Sequence, residues 1–174
     1  MTTAQSAPRL SVLMPVYNES RTLRTIVHRV LNSPVNLPIE LVCVDDCSRD
    51  SSLQILEELA ESDDRIKVYR QPRNQGKGAA IQTAIRKMTG DIAIVQDADL
   101  EYDPAEYPVL LAPILEGKAD VVFGSRFAAS SQRKVLFYWH SVANKILTWV
   151  TNVLNDLNLT DMETCYKAIR ADVL

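Results

Sequence analysis

Two aspartates separated by one alanine, Asp97-Ala98-Asp99, close an apolar run that begins at Ile92. Like charges this close repel, and the arrangement becomes useful where a divalent cation sits between or beside them. A solvated turn at a strand end is the chemistry-free alternative for the same residues. Comparable places hold other reactive side chains. Pro15-Val16-Tyr17-Asn18-Glu19 closes the first apolar run. Tyr17 offers a flat ring to a nucleobase and Glu19 a carboxylate to a ribose or base edge, while a turn before a helix start accounts for the same five residues. In Val44-Asp45-Asp46-Cys47-Ser48, Asp46 can accept from a base N–H and Ser48 can hold the loop, or the stretch is an Asp-rich turn. Asn74-Gln75-Gly76-Lys77-Gly78 is a glycine-bearing helix start without the spacing of a P-loop, so Lys77 stands as a candidate for a single phosphate contact. Arg126, in Gly124-Ser125-Arg126, suits a phosphate or a surface carboxylate. His28 and His140 read as helix-face residues rather than ligands.

The elements that carry these residues alternate. Apolar runs at Leu10–Val16, residues 39–44, 66–69, Ile92–Val95 and 119–123 read as strands. Between them lie helical patterns: residues 23–31 capped by Ser20, a second run through Leu53, Leu56 and Leu59 capped by Asp50 or Ser51, residues 79–88, and residues 106–116. Continuous apolar strands alternating with helices predict a mostly parallel sheet covered on both faces. Ligands of such sheets bind at the carboxyl ends of the strands, where the residues named above collect. From Phe127 the style changes. A helix is expected over residues 133–155, with a basic start at Arg133-Lys134 and the aromatic stretch Phe137-Tyr138-Trp139, followed by a strand-like segment at residues 164–169.

The bulk properties narrow the function. A chain of 174 residues suffices for one sizeable core, with residues 1–9 expected as a flexible lead and 10–174 as one domain. Ending at Leu174 without a polar tail or cap, the domain reads as truncated at its C-terminus. A net charge of −3 argues against nucleic-acid binding, which needs a basic stripe to neutralise phosphates. No signal peptide is evident, and no stretch approaches the roughly 18 apolar residues of a membrane span. Cys43, Cys47 and Cys165 cannot all pair internally and lack a zinc-ligand pattern, so they read as reduced thiols of a cytoplasmic protein.

In chain order, Pro-x-Tyr-Asn-Glu, Asp-Asp-x-Ser, Asp-x-Asp and Gly-Ser-Arg form an ordered set, and with it the sequence resembles the inverting family 2 glycosyltransferases of the GT-A nucleotide-diphospho-sugar fold. Within them it is most similar to the dolichyl- and polyprenyl-phosphate mannosyl- and glucosyltransferases, over residues 10–174. The resemblance implies that Pro15, Tyr17, Glu19, Val44 and Asp46 hold the nucleoside of GDP-mannose or UDP-glucose. It implies further that Asp97 and Asp99 hold Mg2+ or Mn2+ and the donor diphosphate, with Ala98 lining the site. Glu101 stands where such enzymes often carry a metal-ligating Gln, and Arg126 matches an arginine that meets a donor or acceptor phosphate.

A hydroxyl acceptor needs a general base, whereas a phosphate acceptor is already an anion. The segment Thr160-Asp161-Met162-Glu163-Thr164-Cys165-Tyr166-Lys167 resembles the acceptor side of polyprenyl-phosphate enzymes, and Asp161 and Glu163 remain candidates for a base. The helix that starts near Arg133 suits a membrane interface, or equally packing beside the sheet. The expectation is metal-dependent, inverting sugar transfer to a polyprenyl phosphate at the cytoplasmic face of a membrane. Two other classes stay open: transfer to a sugar hydroxyl in polysaccharide or cell-envelope synthesis, and a non-catalytic nucleotide-binding module. A nucleotidyltransferase would instead lead with a glycine-rich basic loop, where this chain has Pro15 to Glu19.

Overall fold

The computed structural model describes residues 7–124, 138–162 and 164–174. Four strands, β1 (Leu10–Val16), β2 (Ile39–Asp45), β3 (Ile66–Arg70) and β4 (Ile92–Val95), run parallel and are joined by α1 (Leu23–Leu31), α2 (Ser52–Ser62) and α3 (Lys77–Lys87). A 3-10 turn at Pro104–Glu106 leads into α4 (Tyr107–Leu115), then β5 (Val121–Phe123), α5 (Tyr138–Asn155) and β6 (Lys167–Arg170). The sheet order is β3-β2-β1-β4-β6-β5, with β6 antiparallel to both of its neighbours. The expected mostly parallel sheet with helices on both faces is therefore present.

Burial explains the strand patterns. Every residue of β1 is buried, because both faces of this central strand are covered. On one face Leu10, Val12, Met14, Leu41 and Ile94 pack with Leu23, Ile26, Val27 and Val30 of α1 and with Tyr107, Leu111 and Ile114 of α4. On the other, Leu13, Val42, Val44 and Ala93 pack against Ala80 and Ala84 of α3, where small residues let helix and sheet approach closely.

Two features depart from the sequence expectations, and the last helix has an unusual face. The N-cap position of α1 falls at Thr22, whose hydroxyl donates to Glu19, while the Ser20 backbone N–H donates to Asp50. The strand-like segment near the end is shifted to Lys167–Arg170 and inserted between β4 and β5, so a piece that apolar pattern alone could not place becomes an inner strand. Helix α5 is amphipathic in an inverted sense. Its buried residues Asn144 and Thr148 face the returning chain, where the Asn144 amide donates to Asp161 and Thr148 accepts the Met162 N–H. Its apolar residues Ile146, Trp149, Val153 and Leu154 are exposed, Leu154 at 76%. The basic start expected at Arg133-Lys134, and Phe137, lie outside the described residues.

Candidate active site

The order of the strands sets the place. From β1 the chain moves outward through β2 and β3, then crosses back to β4 on the opposite side of β1. A crevice opens where strand order reverses, at the carboxyl ends of β1 and β4. There a depression of about 340 Å3 is lined by Pro15, Tyr17 and Glu19, by Asp46, by Gly76 and Lys77, and by Asp97, Ala98 and Asp99.

Its walls are tied together by loop-to-loop hydrogen bonds. Asn18 adopts a left-handed backbone (φ 56°), a conformation its short amide side chain tolerates. Its N–H donates to Ser48 Oγ at 3.0 Å, and its side-chain oxygen accepts the Arg49 N–H at 2.8 Å. The Glu19 and Ser20 amides donate to Ser52 Oγ and to the Asp50 carboxylate. Asp50 in turn accepts the Ser52 N–H; burial opposes ionisation there, and the Ser52 and Ser20 hydrogen bonds outweigh it to hold the carboxyl at about 2. These bonds leave Tyr17 standing 41% exposed on the rim, free to present its ring.

Asp46 is nearly sealed from solvent. One carboxylate oxygen accepts the Gln75 N–H and the other the Gly76 N–H, each at 2.8 Å. Asp46 thus fastens the β3–α3 loop at Gly76, whose φ of 88° needs a residue without a Cβ. The amino end of α3 is thereby held at the depression, an arrangement that favours negative charge.

Asp97 and Asp99 reach the depression from the end of β4, and Ala98 between them is 3% exposed and packed into the core. Both carboxylates line the depression just beyond the strand end. Lys77 Nζ stands 2.6 Å from Asp97 Oδ1 and 3.6 Å from the Cys165 thiol. Burial would lower the Lys77 pKa, but the Asp97 hydrogen bond and neighbouring negative charge outweigh it and raise the value. Burial, with Asp97 beside it, pushes the Cys165 thiol up to about 12, so at neutral pH Lys77 meets a neutral thiol there. Asp99 accepts the Glu101 N–H at 2.9 Å, closing a tight turn.

Several expected site residues stand elsewhere. Val44 is fully buried under α3 and does not line the depression, because its side chain belongs to the packed sheet face. Glu101 is exposed in the turn beyond Asp99, and among the described residues no three His, Cys, Asp or Glu side chains gather as a metal-binding group. Asp161 is 1% exposed and accepts from Asn144 at 2.9 Å, so it is held inside the α5 return. Arg126 and Glu163 lie outside the described residues. Sequence reasoning left Lys77 with only a weak phosphate role and gave Cys165 none. Their meeting at Asp97 depends on the insertion of β6, for which no local pattern is a signal.

The chain belongs to glycosyl transferase family 2, whose sequence model matches residues 11–174. It is 34% identical over 119 residues to the dolichol-phosphate mannosyltransferase of Pyrococcus furiosus, covering 68% of this chain and 33% of that protein. It is 38% identical over 120 residues to the undecaprenyl-phosphate 4-deoxy-4-formamido-L-arabinose transferase of Proteus mirabilis, covering 67% and 37%. The matched stretch thus covers only about a third of either relative. Among solved structures, glucosyl-3-phosphoglycerate synthase from Mycobacterium tuberculosis, in complex with Mn2+, UDP and phosphoglyceric acid, superposes with a TM-score of 0.71 at 20% identity, over 96% of this chain and 57% of that one. The fold is that of the GT-A glycosyltransferases.

Proposed function

We propose that this chain forms the donor-binding part of a glycosyltransferase that moves a hexose from a nucleoside-diphosphate sugar, GDP-mannose or UDP-glucose, to a polyprenyl phosphate. The observation that carries the reading is the convergence of Tyr17, Asp46, Lys77, Asp97 and Asp99 on one depression at the β1/β4 crevice. In this reading Tyr17 stacks on the base, and Pro15 and Glu19 border the nucleoside. The amino end of α3 and Lys77 face the diphosphate.

The donor set of Asp97 and Asp99 fits Mg2+ or Mn2+. Both are hard oxygen ligands, and such cations are commonly held by one or two carboxylates together with substrate phosphates. Bound there, the cation would offset the charge of the departing nucleoside diphosphate. Lys77, paired with Asp97 Oδ1, adds a positive charge from the protein side. Attack at C1 from the face opposite the diphosphate inverts the anomeric centre.

An acceptor phosphate needs no protein base, and the candidate base Asp161 is buried and hydrogen-bonded by Asn144. This favours a phosphate over a sugar hydroxyl, in keeping with the polyprenyl-phosphate acceptors named for both relatives. The outward apolar face of α5, which carries a single charged residue, Lys145, in 18, suits a lipid surface. No helix among the described residues is long and apolar enough to cross a membrane. A nucleotide-sugar donor and three free cysteines fit the cytoplasmic face.

The test is transfer of labelled hexose from GDP-mannose and UDP-glucose, with Mn2+, to undecaprenyl phosphate and to soluble glycans. Label in the lipid phosphate supports the reading. Label in glycan hydroxyls alone would replace it with a polysaccharide-type enzyme, and metal-dependent nucleotide binding without transfer to either would leave a binding module.

A further inference from the structure

We propose that Gln96 is a positioning residue that couples the acceptor-side segment 164–167 to the paired aspartates. This rests on the donor-site reading above. Gln96 is fully buried, and a primary amide in that position must find partners for both of its ends. It does. The Tyr107 hydroxyl donates to Gln96 Oε1 at 2.8 Å, and the Tyr166 hydroxyl donates to the same oxygen at 3.0 Å. The amide nitrogen then points the other way and donates to the backbone carbonyl of Asp97 at 3.1 Å.

The chemistry of the tyrosines fixes that orientation. Both phenols are buried, 0% and 2% exposed, and burial raises their pKa values, so they are neutral donors at neutral pH. Two hydroxyl donors aimed at one point require the carbonyl end of the amide there. The NH2 end is left for Asp97, and the Gln96 backbone N–H is spent on Leu13 at 3.0 Å. The peptide between Asp97 and Ala98 is consequently held by a side chain that cannot turn while both tyrosines donate.

Each tyrosine reports on a different element. Tyr107 opens α4, and Tyr166 stands just before β6. Their rings meet edge to face with centroids 5.8 Å apart, and the Tyr102 ring lies 4.7 Å from that of Tyr166. The Tyr102 hydroxyl accepts the N–H of Cys165, whose thiol faces Lys77. A displacement of the segment 164–167 therefore reaches Asp97 along two paths, through Lys77 and through Tyr166 and Gln96. A side chain kept only to fill the core would need neither the two convergent donors nor the bond to Asp97.

A double-mutant cycle tests the role, reading the affinity of the protein for GDP and UDP by calorimetry in Mn2+ and in EDTA, with melting temperature as a check on folding. Gln96→Met keeps the volume and removes all three bonds. The pair Tyr107→Phe with Tyr166→Phe keeps the rings and frees the amide, and it carries the test should Gln96→Met fail to fold. Each is expected to weaken the Mn2+-dependent nucleotide affinity about 3- to 10-fold, with the EDTA affinity unchanged. The triple variant should be no weaker than Gln96→Met alone, because the tyrosines act through the amide. Lower melting temperatures with unchanged Mn2+-dependent affinity, or losses that multiply in the triple variant, would overturn the proposal and leave the donor site intact. A wild-type protein that binds neither nucleotide would overturn the donor-site reading, and the positioning role with it.

Discussion

Lys77 Nζ lies 2.6 Å from Asp97 Oδ1, joining the first residue of α3 to the end of β4 across the depression. The pair brings an ammonium to one of the carboxylates that would hold the cation. Lys77 is half exposed, so water weakens the pair and makes it exchangeable. Lys77→Met is expected to tighten Mn2+ binding to the nucleotide-free protein, because Asp97 loses its resident cation. The same variant should weaken nucleoside-diphosphate binding in saturating Mn2+ by about 3- to 10-fold, the loss of one charge-assisted contact. Calorimetry with Mn2+ alone and then with nucleotide reads both effects, and equal values for wild type and variant would exclude Lys77 from the site.

Asp46 has a testable double role. It holds the amides of Gln75 and Gly76 and lines the depression in which the nucleoside is proposed to sit. Asp46→Ala leaves two donors without their acceptor and loosens the start of α3, so nucleotide binding should weaken by roughly 1–3 kcal/mol. Unchanged affinity with a lowered melting temperature would reduce Asp46 to a turn residue.

At the opposite end of the sheet, Glu40 accepts from the hydroxyls of Ser11 and Thr89 and from the Gly90 amide. Burial would raise its pKa, but the Ser11, Thr89 and Gly90 hydrogen bonds outweigh it and hold the carboxyl below its ordinary value of 4.5. A depressed folded pKa means that the contribution is fully present above 4.5 and is lost as pH falls through the lower folded value. Glu40→Gln should therefore melt below wild type at pH 7, and the gap should narrow as pH falls below about 4.5. A gap constant from pH 7 to pH 3 would contradict the ionised clasp.

Much of this was legible in the sequence because it is local. The alternation of apolar runs and helical patterns gave the strands β1 to β5, and the turns closing at Glu19, Asp46 and Asp99 fell at one edge as the parallel topology requires. Two kinds of fact were not legible. Val44 sits one residue before the Asp45-Asp46 turn, and only the pleat decides that its side chain points into the α3 interface rather than the crevice. The inward polar face of α5 is the other, because Asn144 and Thr148 find buried partners only after the chain returns through Asp161 and Met162. Tertiary pairing, not local pattern, decides which face of this helix is covered.

The exposed apolar face of α5 has a consequence at membranes. Trp149 and Leu154 are exposed at 65% and 76%, so replacing them with Ser should cost the fold little. If α5 lies on lipid, the double change Trp149→Ser with Leu154→Ser should weaken partition onto anionic phosphatidylglycerol vesicles by at least about tenfold, from the apolar area no longer buried. Equal vesicle sedimentation of the two proteins would remove α5 from the membrane surface.

The acceptor reading predicts tolerance of changes at the candidate bases. Asp161→Asn preserves an oxygen for Asn144, and together with Glu163→Gln it should retain measurable transfer to undecaprenyl phosphate. A general base would cost about 10²- to 10⁴-fold, so the two outcomes separate clearly in an initial-rate assay.

The central claim is that Asp97 and Asp99 bind a metal-bridged nucleoside diphosphate at the β1/β4 crevice. Its most direct test is calorimetric titration of GDP and UDP into the wild-type protein and Asp99→Ala, each in Mn2+ and in EDTA. The account predicts tighter binding of one nucleotide in Mn2+ by the wild type, and no such gain in a folded Asp99→Ala protein. Equal affinities with Mn2+ and EDTA in the wild type, or an undiminished Mn2+ effect in Asp99→Ala, would contradict it.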